Sequence, residues 1–256
     1  MRLMGALRSV ALAACCLLSG WPGSAAAALD AGGSLALTQD DVYRGISQTC
    51  GHPAAQADLH LRERGTNYWA TFVGAWASAG LGSYSCAKAK ELNVYAGYSL
   101  AVSTSLSATF TYTRFAFPGG GYYNGRYGQR YDYDQLGMSW SLADRLYLTL
   151  AWTPDALRYK PYGETLQAVR DRSAFAYGLE WHQPLASWLS FAATAGYDHM
   201  ADPLNKGYAF WSVGLSHIAG PFELDVGYFR AGERAVSLFG RDVAGARVSA
   251  TLLWRF

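Results

Sequence analysis

Charged side chains set at alternate positions carry most of what this 256-residue chain says about chemistry. Glu180 and His182 stand two apart, as do Glu223 and Asp225. In an extended strand that spacing puts both members of a pair on one face. Glu91, Arg247 and Arg255 hold the matching phase in their own segments. Arg44 follows Tyr43 and offers a fixed positive charge, an ion pair to Asp40, Asp41 or Asp58, or a turn contact. Glu180 with His182 has the make-up of an acid/base pair. However, the chain has no Gly-x-Ser-x-Gly elbow and no His-Glu-x-x-His. His52, His60, His182, His199 and His217 show no metal-ligand spacing. The expectation is therefore no enzyme, no metal and no cofactor, with the charged pairs acting as a polar lining or as ion-pair braces.

Strands must position those pairs. Ser105 to Thr113 alternates strictly, with Leu106, Ala108, Phe110 and Tyr112 on one face and Ser and Thr on the other. Arg145–Thr153 repeats the pattern through Leu146, Leu148, Leu150 and Trp152. Pro221–Arg230 repeats it again through Phe222, Leu224, Val226 and Tyr228. Period two marks a strand with one apolar face. Twelve such segments are expected, near 34–46, 54–64, 67–77, 91–101, 103–115, 131–142, 145–153, 173–184, 187–198, 207–218, 221–230 and 245–256. Their connections alternate between short and long. No segment shows a helical period. The connection 154–172 is long for a structureless loop, and either extends its strands or holds a short helix.

Composition points the same way. Aromatic residues make up 15% and charged residues only 16%, against about 25% in ordinary soluble domains. A secreted β-sandwich would also alternate, but nearly every strand carries Trp, Tyr or Leu on its apolar face, more than one sandwich core could bury. An even strand count with short and long connections in turn is the pattern of an all-β, up-and-down transmembrane barrel, with short periplasmic turns and long outside loops. Lipid cannot satisfy an open sheet edge, so the last strand is expected to pair with the first. A basic residue at the lipid midplane costs ~2–4 kcal/mol, which turns the charged phase inward. Arg44, Glu91, Glu180, His182, Glu223, Asp225, Arg247 and Arg255 are thus expected to face a narrow, partly filled lumen.

The N-terminus reads as an export signal. Arg2 and Arg8 precede an apolar run from Val10 to Leu18, Trp21-Pro22-Gly23 breaks it, and small residues follow to Ala28. Residues 1–28 are expected to be removed, leaving one barrel domain over 29–256. Leu12-Ala13-Ala14-Cys15 also fits a lipoprotein box, but the apolar run continues past Cys15. Losing Arg2 and Arg8 from 21 basic residues balances the chain against its 19 acids, so a nucleic-acid partner has no electrostatic support. Cys50 and Cys86 remain after cleavage, in the first and second outside loops. Export is oxidising, so they are a candidate disulfide.

One stretch is distinctive: Leu37-Thr38-Gln39-Asp40-Asp41-Val42-Tyr43-Arg44-Gly45-Ile46-Ser47-Gln48-Thr49, then Gly51-His52-Pro53, Gly74-Ala75-Trp76-Ala77-Ser78 and Glu91-Leu92-Asn93-Val94-Tyr95-Ala96-Gly97-Tyr98. It resembles the proteobacterial TorF-family porins, also called the Gcw_chp family of unknown function. Residues 35–98 carry the resemblance. It departs at Ala79, where an Asn is common, and at Cys50, where the family is usually polar. The closing Trp254-Arg255-Phe256 resembles the terminal assembly signal of outer-membrane barrels, with Trp254 and Phe256 as its aromatic elements. The resemblance implies a Gram-negative outer-membrane barrel, and supports location and fold better than transport; twelve strands with a polar lining lead to the expectation of a narrow porin for small polar solutes. Its partners would be lipid, lipopolysaccharide and, during insertion, the barrel-assembly machinery. A structural or surface-binding barrel is the alternative, and a lipid-modifying enzyme the second.

Overall fold

The computed structural model describes residues 28–256 except 67, 82–89, 119–120, 125–126, 131, 163–164 and 200–206. The signal-peptide reading of residues 1–28 therefore lies almost wholly outside the described residues, as does Cys86.

The chain closes into an antiparallel barrel of twelve strands. They are β1 (Ala28–Thr38), β4 (Ala54–Thr66), β5 (Trp69–Gly80), β6 (Lys90–Ala101), β7 (Leu106–Ala116), β10 (Tyr133–Leu142), β11 (Leu146–Tyr162), β12 (Thr165–Ala186), β13 (Leu189–His199), β14 (Tyr208–Ala219), β15 (Phe222–Ala231) and β16 (Arg247–Arg255). Each pairs with the next along the chain, and β16 returns to β1, from Ser34 opposite Arg255 to Thr38 opposite Thr251. Two small hairpins lie outside the barrel sheet: β2 (Val42–Tyr43) with β3 (Ile46–Ser47), and β8 (Gly121–Asn124) with β9 (Tyr127–Arg130).

Alternation explains the wall. On β15, Phe222, Leu224 and Val226 are exposed while Glu223 and Asp225 between them are half-buried. In the isolated chain the outer face is open leucine and valine, which only hydrocarbon would cover. Aromatic pairs border this belt at both ends. Trp69–Tyr98, Trp181–Phe191 and Trp254–Phe256 lie toward the short turns. Trp152–Phe175, Tyr177–Tyr197 and Trp211–Tyr228 lie toward the long loops. Amphipathic rings favour a membrane–water boundary.

Two expectations change, and one open alternative is resolved. The first strand is Ala28–Thr38, not 34–46: Thr38 donates from Oγ1 to the Asp40 carbonyl at 2.9 Å, and the chain turns inward there. The last long connection holds two helices, α1 (Glu233–Phe239) and α2 (Arg241–Ala244). Helices this short complete too few turns to print a period on the sequence. The 154–172 connection takes the first of its two open forms, with β11 and β12 running on as one long hairpin.

Candidate functional site: an inward-folded loop in the lumen

The first long connection folds into the barrel mouth rather than over it. Between β2 and β3, Arg44 and Gly45 both take positive φ, 51° and 76°. That is the two-residue turn whose twist suits a tight hairpin. Gly45 is required twice over: a side-chain carbon there would also stand 3.0 Å from the backbone nitrogen of Ala231. Arg44 was expected near the end of a wall strand. It sits at the hairpin tip instead, because two consecutive positive φ values cannot continue a strand.

From that tip the hairpin reaches across the lumen. Arg44 Nη1 donates to Asp198 Oδ2 on β13 at 3.0 Å, with 17% and 12% of the two side chains exposed. The Arg44 guanidinium also lies 4.7 Å above the Tyr43 ring. Tyr43 faces Phe115 of β7, ring centroids 6.4 Å apart, and Phe115 stacks on Tyr133 of β10 at 4.5 Å. Ile46 joins Tyr208, Ala231, Ala235 and Ala244 in a buried cluster beneath the two helices. One short hairpin thus touches walls on several sides. Burial works to lower the Arg44 pKa, but Tyr43 and Asp198 outweigh it, so the group is held above its ordinary value. It is a permanent cation.

Two carboxylates hold the hairpin base. Asp40 Oδ1 accepts from Ser47 Oγ at 2.5 Å and Thr49 Oγ1 at 3.0 Å, and Oδ2 accepts from Arg247 Nη1 at 2.5 Å. Arg247 Nη2 also donates to the carbonyl of Val243 at 2.8 Å, tying α2 to the loop. Arg247 was expected to face inward, as lining or as an ion-pair brace. The structure commits it to bracing loop against helix. Asp41 Oδ2 accepts from Ser78 Oγ of β5 at 2.7 Å. Burial raises the Asp41 pKa above the usual carboxylate value, despite lowering hydrogen bonds from Ser78 and Gln56.

Below the hairpin, acidic groups line the lumen on several of the described strands. On β4, Asp58 Oδ1 meets His60 Nδ1 at 2.7 Å, and Asp58 Oδ2 accepts from the hydroxyl of Tyr95 on β6 at 2.7 Å. On β12, diametrically opposite β4 in the strand ring, His182 Nε2 pairs with Glu180 Oε1, and the imidazole meets Tyr147 edge-on at 5.3 Å. On β15, between these two, Glu223 stands with Asp225 and pairs with Arg255 of β16. Glu91 accepts from Asn93 Nδ2 at 2.7 Å higher on β6. Each group takes the phase opposite the exposed apolar residues of its strand. Among the described residues no group of His, Cys, Asp and Glu is arranged to hold a metal ion. Cys50 is disulfide-bonded, with its expected partner Cys86 outside the described residues.

A closed antiparallel ring with an apolar outer belt, aromatic borders and a polar interior defines a transmembrane β-barrel of the outer-membrane type. Within that class, the chain belongs to the Gcw_chp family, described as bacterial proteins of unknown function, which it matches over residues 23–251. Among curated proteins nothing matches it. Solved structures share its fold. A membrane protein solved in work on in-meso crystallization aligns with a TM-score of 0.56 at 9% identity, over 88% of this chain and 83% of its own. An outer-membrane channel from Pseudomonas putida F1 aligns with a TM-score of 0.52 at 12% identity, over 93% of this chain and 100% of its own.

Proposed function

We propose that this barrel is a narrow outer-membrane channel for small polar solutes, with the first loop as its constriction. The carrying observation is the Arg44–Asp198 contact, which draws the loop from its base on β1 and β4 to the wall at β13. A twelve-stranded ring leaves more interior than eight strands, which side chains can fill, and less than a sixteen-stranded porin. A hairpin laid across it narrows the passage further. The likeness to a Pseudomonas outer-membrane channel supports the barrel scaffold.

In this reading the chain is exported on its signal peptide, inserted by the barrel-assembly machinery and surrounded outside by lipopolysaccharide. No reaction is catalysed: solutes diffuse through a hydrated lumen and fixed charges set their preference. The test is single-channel conductance of the refolded mature protein in planar bilayers. Small, steady conductance that rises in Arg44→Ala, and rises more when residues 42–47 are replaced by a short glycine–serine link, is the expected result. Folded, inserted protein with no conductance in any of the three would overturn it.

The long β11–β12 hairpin favours a second reading, a surface-binding barrel. Trimming that hairpin would then abolish cell-surface binding while leaving conductance unchanged.

A further inference from the structure

Inward-facing residues of four neighbouring strands form one register row. Asp58 of β4 stands beside Trp76 of β5, Trp76 beside Asn93 of β6, and Asn93 beside Phe115 of β7. Side chains in direct register lie ~5 Å apart at Cβ. Trp76 therefore has a carboxylate residue as its register neighbour on one strand and an amide residue on the other. One pleat toward the loops, Glu91 pairs in register with Ser78, which donates to Asp41. One pleat toward the short turns, Tyr95 holds Asp58 by its second oxygen.

Asn93 is the informative residue. It is only 8% exposed, and its Oδ1 is buried without a hydrogen-bond partner. Its Nδ2 already donates to Glu91. What remains is an acceptor, and a buried acceptor left unmet is costly until a donor arrives. Its neighbours call for the same kind of ligand. Asp58 and Glu91 carry carboxylates on this wall, Asp58 with its two oxygens on His60 and Tyr95 and Glu91 on Asn93 Nδ2, and the nearby cation Arg44 is committed to Asp198 on another wall. An aromatic face attracts a cation most when water is partly excluded. Carboxylates at neighbouring register positions add charge complementarity, and Asn93 Oδ1 supplies the directional contact.

We propose that the lumen wall around Trp76 and Asn93 is a binding site for small organic ammonium or guanidinium cations. The inference rests on the channel reading in one respect: it makes such cations the preferred solutes of that passage. The loop hairpin stands above this wall, so a cation held at Trp76 sits just inside the constriction.

The test is isothermal titration of the folded mature protein in detergent with n-butylammonium chloride, and with butan-1-ol as the uncharged counterpart of similar size. Saturable binding of the ammonium, weaker by about tenfold or more for the alcohol, is expected. Trp76→Ala and Glu91→Gln should each weaken it several-fold, while Trp76→Phe retains most of it. Heat-modifiable migration on gels identifies the folded variants. Absence of saturable binding, equal binding of the alcohol, or affinity unchanged in both Trp76→Ala and Glu91→Gln would each overturn the site. Conductance of the same samples separates the two ideas. A barrel that binds the ammonium but never conducts removes the channel and keeps the site, whereas one that conducts without binding does the reverse.

Discussion

Phe256 and Gly33 close the barrel together. The last residue of the chain exchanges two backbone hydrogen bonds with Gly33, from Gly33 N to Phe256 O at 3.0 Å and from Phe256 N to Gly33 O at 3.1 Å. The Phe256 ring lies where a side chain at position 33 would begin: a carbon there would stand 2.9 Å from Phe256 Cζ and 2.6 Å from the backbone oxygen of Asp58. The seam thus depends on a bare backbone on one strand and a terminal aromatic on the other. Gly33→Val should prevent closure, and Phe256→Ala should lower outer-membrane yield several-fold. Heat-modifiable migration and the amount recovered from outer membranes measure both. Wild-type yield in both variants would show that the seam does not depend on this pair.

The Arg44–Asp198 pair predicts an asymmetric response to truncation. Asp198→Ala leaves a buried guanidinium without its carboxylate, which destabilises by roughly 3 kcal/mol when a buried pair loses one partner. Arg44→Ala leaves Asp198 in the same position. The double variant should recover part of the loss, because neither charge is then stranded. Urea unfolding of the four proteins in detergent gives the cycle, and strictly additive losses would show that the contact contributes nothing of its own.

The barrel was legible in the sequence because period two survives on nearly every wall strand. Leu146, Leu148 and Leu150 against Tyr147 and Thr149 is a pattern that no loop interrupts. The inward hairpin was not legible in the same way. Leu37 to Ser47 is polar and β-branched enough to pass for more strand. Its one break is the Arg44-Gly45 dipeptide between Val42-Tyr43 and Ile46-Ser47, a two-residue turn signal flanked by strand formers. Gly232, Gly240 and Gly245 likewise punctuate the two short helices. The pairs Glu180–His182 and Glu223–Asp225 were placed on one face by spacing alone. What each pair touches depends on strand register around the ring, and one sequence does not state register between distant strands. Asp198 shows this most clearly: it lies 154 positions from Arg44, its partner.

Asp41 sets a pH dependence on the anchored loop. Burial raises its pKa, so the folded state holds its proton more tightly than the unfolded chain does. Its contribution is therefore complete below the ordinary carboxylate pKa and is lost as pH rises through the raised, folded value. Asp41→Asn removes the buried charge while keeping an oxygen for Ser78. The variant should be more stable than the parent at pH 7.5, with the gain shrinking toward pH 3. Urea midpoints at the two pH values measure it. A gain that grows on acidification would reverse the assigned sign.

The Cys50 disulfide anchors the loop just past the hairpin. With Cys86 as the proposed partner, the bond closes a segment of about 37 residues, worth roughly 4 kcal/mol in the chain-entropy model. Non-reducing peptide mapping should recover one Cys50–Cys86 cross-linked peptide. Cys50→Ser should lower the unfolding midpoint and broaden conductance fluctuations as the hairpin loosens. Cys50 found cross-linked to any other cysteine, or both thiols free in protein taken from unreduced membranes, would remove the assignment.

Glu223 and Asp225 bear on selectivity at the short-turn end. Both sit on the inner phase of β15, and among the described residues an ion pair there joins Glu223 to Arg255, whose side chain is 63% exposed at the rim. The local balance is therefore acidic, two carboxylates against one peripheral guanidinium. Fixed charge of one sign in a narrow, low-dielectric passage concentrates the opposite ion. The pair Glu223→Gln and Asp225→Asn should move the reversal potential toward anions under a salt gradient, most clearly at low ionic strength, where screening is weakest. Arg255→Gln should move it the other way by a smaller amount, because its head already lies mostly in solvent. If the double substitution leaves the reversal potential unmoved at low salt while conductance persists, the constriction lies elsewhere. The Arg44 hairpin would then be the only filter in the path.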